Sequence, residues 1–228
     1  MATARITRYR ALGDTVLERM GNQAVPPMMK GALKSFQAMH RQYLVAADAA
    51  DAARAVRDTA LQAVADDDAA LDASLDTLAE KLVGAGLGSR TRPLASFSRY
   101  SVSGLAALAY KKEAGEVVAM GAKIAKAKPP KQVAAAAAVC VKNANKVLDG
   151  LTALVRLQAA YDKALRARDR LLPDWTKAFA KLKKLAAAAW VDDEATFKSV
   201  FARVEGIQAP KAKRARSKPA TPPPAAPA

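Results

Sequence analysis

The sequence has little of several things. Cys140 is the one cysteine and His40 the one histidine in 228 residues, which excludes a disulfide framework and leaves no Cys/His company for a metal ligand. Aromatic residues make up 5%. β-branched runs are missing while Ala, Lys and Arg abound, which argues against a β-sandwich. The longest purely apolar run, residues 133–141, is about half of what a bilayer-spanning helix needs. Residues 1–10 hold no apolar core of signal-peptide length. They carry Arg5, Arg8 and Arg10 with no acid before Asp14, a loose imitation of a mitochondrial presequence; the first turns of a structural helix are the simpler reading. Neither a glycine-rich phosphate loop, a nucleophile elbow nor a zinc-protease motif occurs. No catalytic residue, cofactor site or metal site is therefore expected, and the chain reads as a non-enzyme. One free thiol fits a reducing, cytoplasmic setting.

What the sequence does have is alanine and positive charge. Alanine accounts for 56 residues, nearly half of the 51% apolar set. Lys and Arg number 37 against 21 acids, a formal net charge of +16. The length suits one domain or two small ones with a sizeable core.

Proline and glycine punctuate the chain. Six of the 12 prolines lie in the last 20 residues. None occurs between Pro27 and Pro93 or between Pro130 and Pro173, so very long helices are permitted. The reading is all-α: helices over about 3–21, 28–85, 101–127, 130–190 and 193–205. A glycine-rich stop at residues 84–88 and a loop through Pro93 separate the second from the third. Pro26-Pro27 and Pro129-Pro130 precede the long helices, where a missing N–H costs nothing. Asp192, Asp193 and Glu194 give the last helix an acidic first turn. Residues 209–228 hold five cations, no acid and mostly Ala and Pro otherwise, and are expected to be a disordered basic tail.

A seam of apolar residues runs along each long segment. Alternating steps of four and three from Cys140 pass Ala144, Val147, Leu151, Leu154, Gln158, Tyr161, Leu165, Arg168, Leu172, Trp175, Phe179, Leu182, Ala186 and Ala189. Thirteen of these 15 are apolar where composition alone gives about half. The mean step of 3.5 is the repeat of coiled-coil packing. It passes Pro173 without slipping, so a kink is expected there rather than an end. The same walk from Met29 to Ala85 is apolar at 13 of 17 positions. The two seams share a phase at an offset of 111 residues, with Arg57-Asp58 over Arg168-Asp169. This suggests an internal duplication of a short-plus-long hairpin, residues 1–92 and 93–205, within one elongated antiparallel bundle over 1–208. A break at Asp66-Asp67-Asp68 and at Pro173 is the alternative, since Asp caps new helices well.

The exceptions on the seam have simple readings. Arg57 and Arg168 would lay their stems on the core and reach a nearby carboxylate, rather than line a ligand pocket. His40 reads as a satisfied core histidine, and Cys140 as a small apolar residue. The acids at 66, 67, 68, 72 and 76 lack the glycine and closing glutamate of a calcium loop and read as a solvated face.

Charge layout is the sharpest feature. The position opposite the second seam reads Lys142, Asp149, Arg156, Lys163, Arg170, Lys177 and Lys184: six cations in seven, seven residues apart. On a continuous helix this strip is about 63 Å long. Lys146, Arg166, Lys181 and Lys183 widen it, and Lys123, Lys126, Lys128 and Lys131 cluster at a turn. Between Asp48 and Glu80, by contrast, nine acids face two arginines, a net of −7. Pairing between the two helices cannot absorb everything: residues 1–100 carry +2 and residues 101–228 carry +14.

The strip and the tail cations Lys211, Lys213, Arg214, Arg216 and Lys218 therefore point to non-specific, salt-sensitive binding of nucleic acid or another polyanion, with a nucleoid-associated location. The tail, Lys-Ala-Lys-Arg-Ala-Arg-Ser-Lys-Pro-Ala, is similar in composition to the Lys/Ala/Pro-rich arms of linker-histone-like and other DNA-compacting proteins. Two alternatives stand beside this. One is a coiled-coil scaffold that binds protein partners or a second copy of itself. The other is a peripheral coat on an anionic membrane or granule, since the chain resembles in composition some granule-associated phasins.

Overall fold

A computed structural model describes the backbone of residues 2–202 and the side chains of residues 8–202. The expected basic tail, residues 209–228, lies outside the described residues. Within them the protein is an all-α bundle with no strand. Its helices are α1 (Ala2–Gly21), α2 (Pro27–Gly84), α3 (Val102–Ala106), α4 (Tyr110–Lys126), α5 (Lys131–Ala189) and α6 (Glu194–Phe201). Two compact units share the long helices. One holds the chain up to His40 together with the chain from Lys177 onward, and the other holds Arg41–Thr176.

In the Arg41–Thr176 unit, α2 and α5 run antiparallel along the seam that the heptad pattern marks. Arg57 Nη1 donates to Gln158 Oε1 at 3.5 Å, Asn143 Nδ2 to the Ala70 carbonyl at 3.1 Å, and Cys140 Sγ to the Ser74 carbonyl at 3.1 Å. Partners thus fall along α5 as they rise along α2. Gly150 brings the helices together: a Cβ there would sit 2.7 Å from Val64 Cγ2. Toward the end of α2, α4 adds a third helix. Leu71, Leu75, Leu78 and Leu82 of α2, Val117, Met120 and Ile124 of α4, and Val133 and Val147 of α5 are buried in one cluster. Leu94 and Phe97 of the connecting loop join it. Leucines spaced by three and four on one face place this core. Farther along the pair the seam is covered only in part: Leu61 on it is exposed, and off it Val45, Val56 and Val155 stay 65%, 55% and 70% exposed.

The other unit packs α1, the start of α2, the end of α5 and α6. Val16, Met20, Met29, Phe36, Leu182, Trp190 and Val200 are buried there. Phe36 meets Phe179 at 5.5 Å between ring centroids, and Phe179 meets Phe201 edge-on at 6.1 Å. Asp193 caps α6, accepting from the Thr196 amide at 3.0 Å, and the Thr196 side chain first, then that amide, hold its carboxyl below the usual range.

Two expectations meet different outcomes. No break occurs at residues 66–68 or at Pro173: α2 and α5 each run unbroken, with Pro173 inside α5. The single helix expected over 101–127 is instead two. Ser101 caps α3 through the Gly104 amide, and the chain turns extended at Ala109 (φ −65°, ψ 138°) before α4 begins. The interruption sets Leu105 wholly inside and Leu108 partly inside the same core as α4. Helical periodicity in an alanine-rich stretch gives no sign of it.

Candidate polyanion-binding face

The face is built on the outer side of α5. Seam residues Cys140, Ala144, Val147, Arg168, Trp175, Leu182 and Ala186 are buried, which fixes the rotation of the helix and turns the opposite position outward. In the Arg41–Thr176 unit, Lys142, Arg156, Lys163 and Arg170 are all exposed; in the other unit, Lys177 and Lys184 are as well. Seven residues of helix place Arg156, Lys163 and Arg170, and in the other unit Lys177 and Lys184, about 10.5 Å from their neighbours, close to the Debye length of about 8–10 Å at moderate salt. Lys142 stands two such steps from Arg156, with the exposed Asp149 between them.

None of these six cations makes an ion pair or a side-chain hydrogen bond among the described residues. Two of the nearby acids on α5 are engaged elsewhere, while Asp149 and Asp174 are exposed. Asp169 accepts from Arg168 through Nε at 2.9 Å and Nη2 at 2.6 Å, and Asp162 accepts from Gln158 Nε2 at 2.8 Å. On α2, Asp58 takes the Arg57 guanidinium and lies 3.4 Å from Arg54, and Arg57 holds its carboxyl below the usual range. Asp66 accepts from Gln62. Asp67 reaches Lys146 at 3.9 Å, on the flank of the strip rather than on its outer line. Among the flanking cations, Arg166 donates to the Asp162 carbonyl at 3.2 Å. The turn lysines Lys126, Lys128 and Lys131 are exposed, and Lys123 Nζ donates to the Phe97 carbonyl at 3.2 Å. The tail cations Lys211, Lys213, Arg214, Arg216 and Lys218 lie outside the described residues.

The seam exceptions are structural. Arg57 and Arg168 each bind the aspartate that follows, in the same two-nitrogen manner. Arg57 also lies 4.6 Å over the Tyr161 ring. His40 is 2% exposed, stacks on Phe36 and bonds Asp14 Oδ1 through Nε2 at 2.9 Å. Burial pushes the Cys140 thiol above its ordinary pKa, which suits a packing residue and not a nucleophile.

One polar feature escapes the sequence reading. Glu113 of α4 is fully buried and neither carboxyl oxygen meets a donor; Asp68 and Asp72 of α2 each bury one unmatched oxygen. Desolvation first, then Asp72 and Asp68, push the Glu113 pKa up to about 8. Desolvation also raises that of Asp68. Two carboxyl groups bond to each other only when one keeps its proton. The acids of this stretch are thus not wholly the solvated face expected of them. A signal was present: Glu113 steps by four, three and four to Val117, Met120 and Ile124, and so occupies a core position of α4. Among the described residues no group of three or more His, Cys, Asp or Glu is arranged to hold a metal ion. Nor is any helix among them long and apolar enough to cross a membrane.

No family model matches the chain, and no match is found among curated proteins or solved structures.

Proposed function

We propose that the protein is a non-enzymatic binder of duplex nucleic acid, or of a comparably charged polyanion, acting through the outer face of α5 and the basic tail. The observation that carries this reading is the state of the six cations: outward, five of them at steps of seven residues, and without carboxylate partners among the described residues. Phosphates along a duplex release condensed counterions when such side chains approach, which drives binding without sequence preference. The strip carries no aromatic ring on which unpaired bases could stack, so duplex suits it better than single strands. On this reading the protein is nucleoid-associated in the cytoplasm.

Mobility shift with random-sequence duplex at low salt tests it. The complex is expected to form and to dissolve at moderate salt, and removal of residues 209–228 to weaken it by about tenfold or more, as losing five phosphate contacts implies. Unchanged affinity after that removal contradicts the role of the tail.

Exposed Val45, Val56, Leu61 and Val155 on α2 and α5 favour a second reading, a helical scaffold that binds protein or a second copy. Sedimentation distinguishes the two: a stable dimer with no DNA shift supports the scaffold.

A further inference from the structure

We propose that the groove between α4 and α5 binds a medium-chain fatty carboxylate, its acyl chain lying between the helices and its head group at the α4–α5 turn. The groove encloses about 440 Å³, within the range of about 300–1,000 Å³ typical of small-molecule sites. Its walls are apolar. Gly121 lets Val141 pack directly onto the α4 backbone, since the Val141 methyl occupies the place of a Cβ there, and the pair closes the floor of the groove. Ala122 and Ala138 are exposed on either lip, and their single methyls keep the groove open. The lining runs from Val118 to Ala125 on α4, about 10.5 Å of helix. With a carbon–carbon bond of about 1.5 Å, an extended chain advances about 1.3 Å per carbon, so about eight carbons span it.

Charge selects the class of occupant. Residues 117–148 contain six lysines and no acid. Lys126 follows Ala122 by four residues on α4, and Lys131 precedes Ala134 by three on α5. Both stems therefore start beside the groove-lining faces, at the turn end. Both side chains are exposed and make no ion pair among the described residues. Lys128 sits between them in the turn. An apolar slot with cations at one end and no competing carboxylate matches an amphiphile with one anionic head. A neutral chain would leave the lysines unused, and a bare anion would leave the slot empty.

Calorimetric titration of the full chain with decanoate, below its micelle-forming concentration, tests the site. One saturable site per chain is expected, with decanol and hexanoate about tenfold or more weaker. Ala138→Trp should fill the slot and abolish saturable binding, whereas Val139→Trp, on the neighbouring exposed position, should leave it intact. Changing Lys126 and Lys131 together to Gln should weaken decanoate about fivefold and leave decanol unchanged. Equal binding of decanoate and decanol, undiminished binding by Ala138→Trp, or binding only to anionic vesicles or only between copies of the chain overturns the proposal. Helix content of each variant by circular dichroism shows that it is folded. Ala138→Trp should still shift duplex DNA as the parent does, so this site and the polyanion face fail separately.

Discussion

Glu113 makes the stability of the protein depend on pH in an unusual direction. In the unfolded chain its carboxyl titrates near the ordinary 4.5, whereas in the fold it is held at about 8. Between those values the folded state binds the extra proton, so stability is fully present below about pH 4.5 and falls as pH rises through about 8. The raised pKa of Asp68 acts in the same direction. Urea unfolding at pH 5, 7 and 9 should show a loss on the order of a few kcal/mol across the series. Glu113→Gln should remove most of it and stabilise the protein at pH 9, because the amide donates to the aspartates without having to keep a proton. A Glu113→Gln variant whose stability falls as steeply with pH as that of the parent contradicts the buried-carboxyl account. The same residue marks where sequence reading stops. The 113, 117, 120, 124 spacing puts Glu113 on a core face, yet only the packing of α4 against α2 shows that Asp68 and Asp72 stand opposite it. Arg57 and Arg168 were readable in advance because the next residue is the partner of each, and His40 because it falls on the seam; its partner Asp14, on another helix, was not.

Among the helices, the two long ones were the most legible. Proline-free stretches and a 3.5-residue apolar repeat leave little choice of element or face, and Pro173 kept its register because the seam resumes at Trp175 and Phe179. The short helices were less so. Nothing in the composition of residues 101–127 signals that the chain must leave the helix at residues 107–109 to seat both Leu105 and Leu108. The joint between α1 and α2 depends on a glycine whose role only coordinates reveal. A Cβ at Gly13 would lie 2.1 Å from the His40 ring. That ring cannot swing away, since Phe36 stacks on it and Asp14 holds Nε2. Gly13→Ala should therefore destabilise the packing of α1 by about 1–3 kcal/mol despite the better helix propensity of alanine. Hydrogen exchange should show the loss as faster exchange in α1 with little change in α4. Unaltered protection of α1 would mean that the contact is not tight.

Across the whole chain, charge is divided between its parts more sharply than apolar character is. The first 100 residues are nearly balanced, and the remainder carries almost all of the excess. Asp58, Asp66, Asp67, Asp68 and Asp72 of α2 face Arg54, Arg57, Gln62, Lys146 and Glu113 rather than the outer cations of α5. That division was visible in sequence; the missing carboxylate partners were not, because intramolecular pairing depends on which way each helix is turned. Salt dependence of duplex binding reads those cations directly. For a random-sequence duplex, log K against log salt should fall with a slope of about −0.9 for each phosphate neutralised. Replacing Lys163, Arg170, Lys177 and Lys184 together by Gln should make the slope shallower by about 3 to 4 and weaken binding uniformly across sequences. A slope and an affinity the same as those of the parent would contradict the assignment of the α5 face to a polyanion.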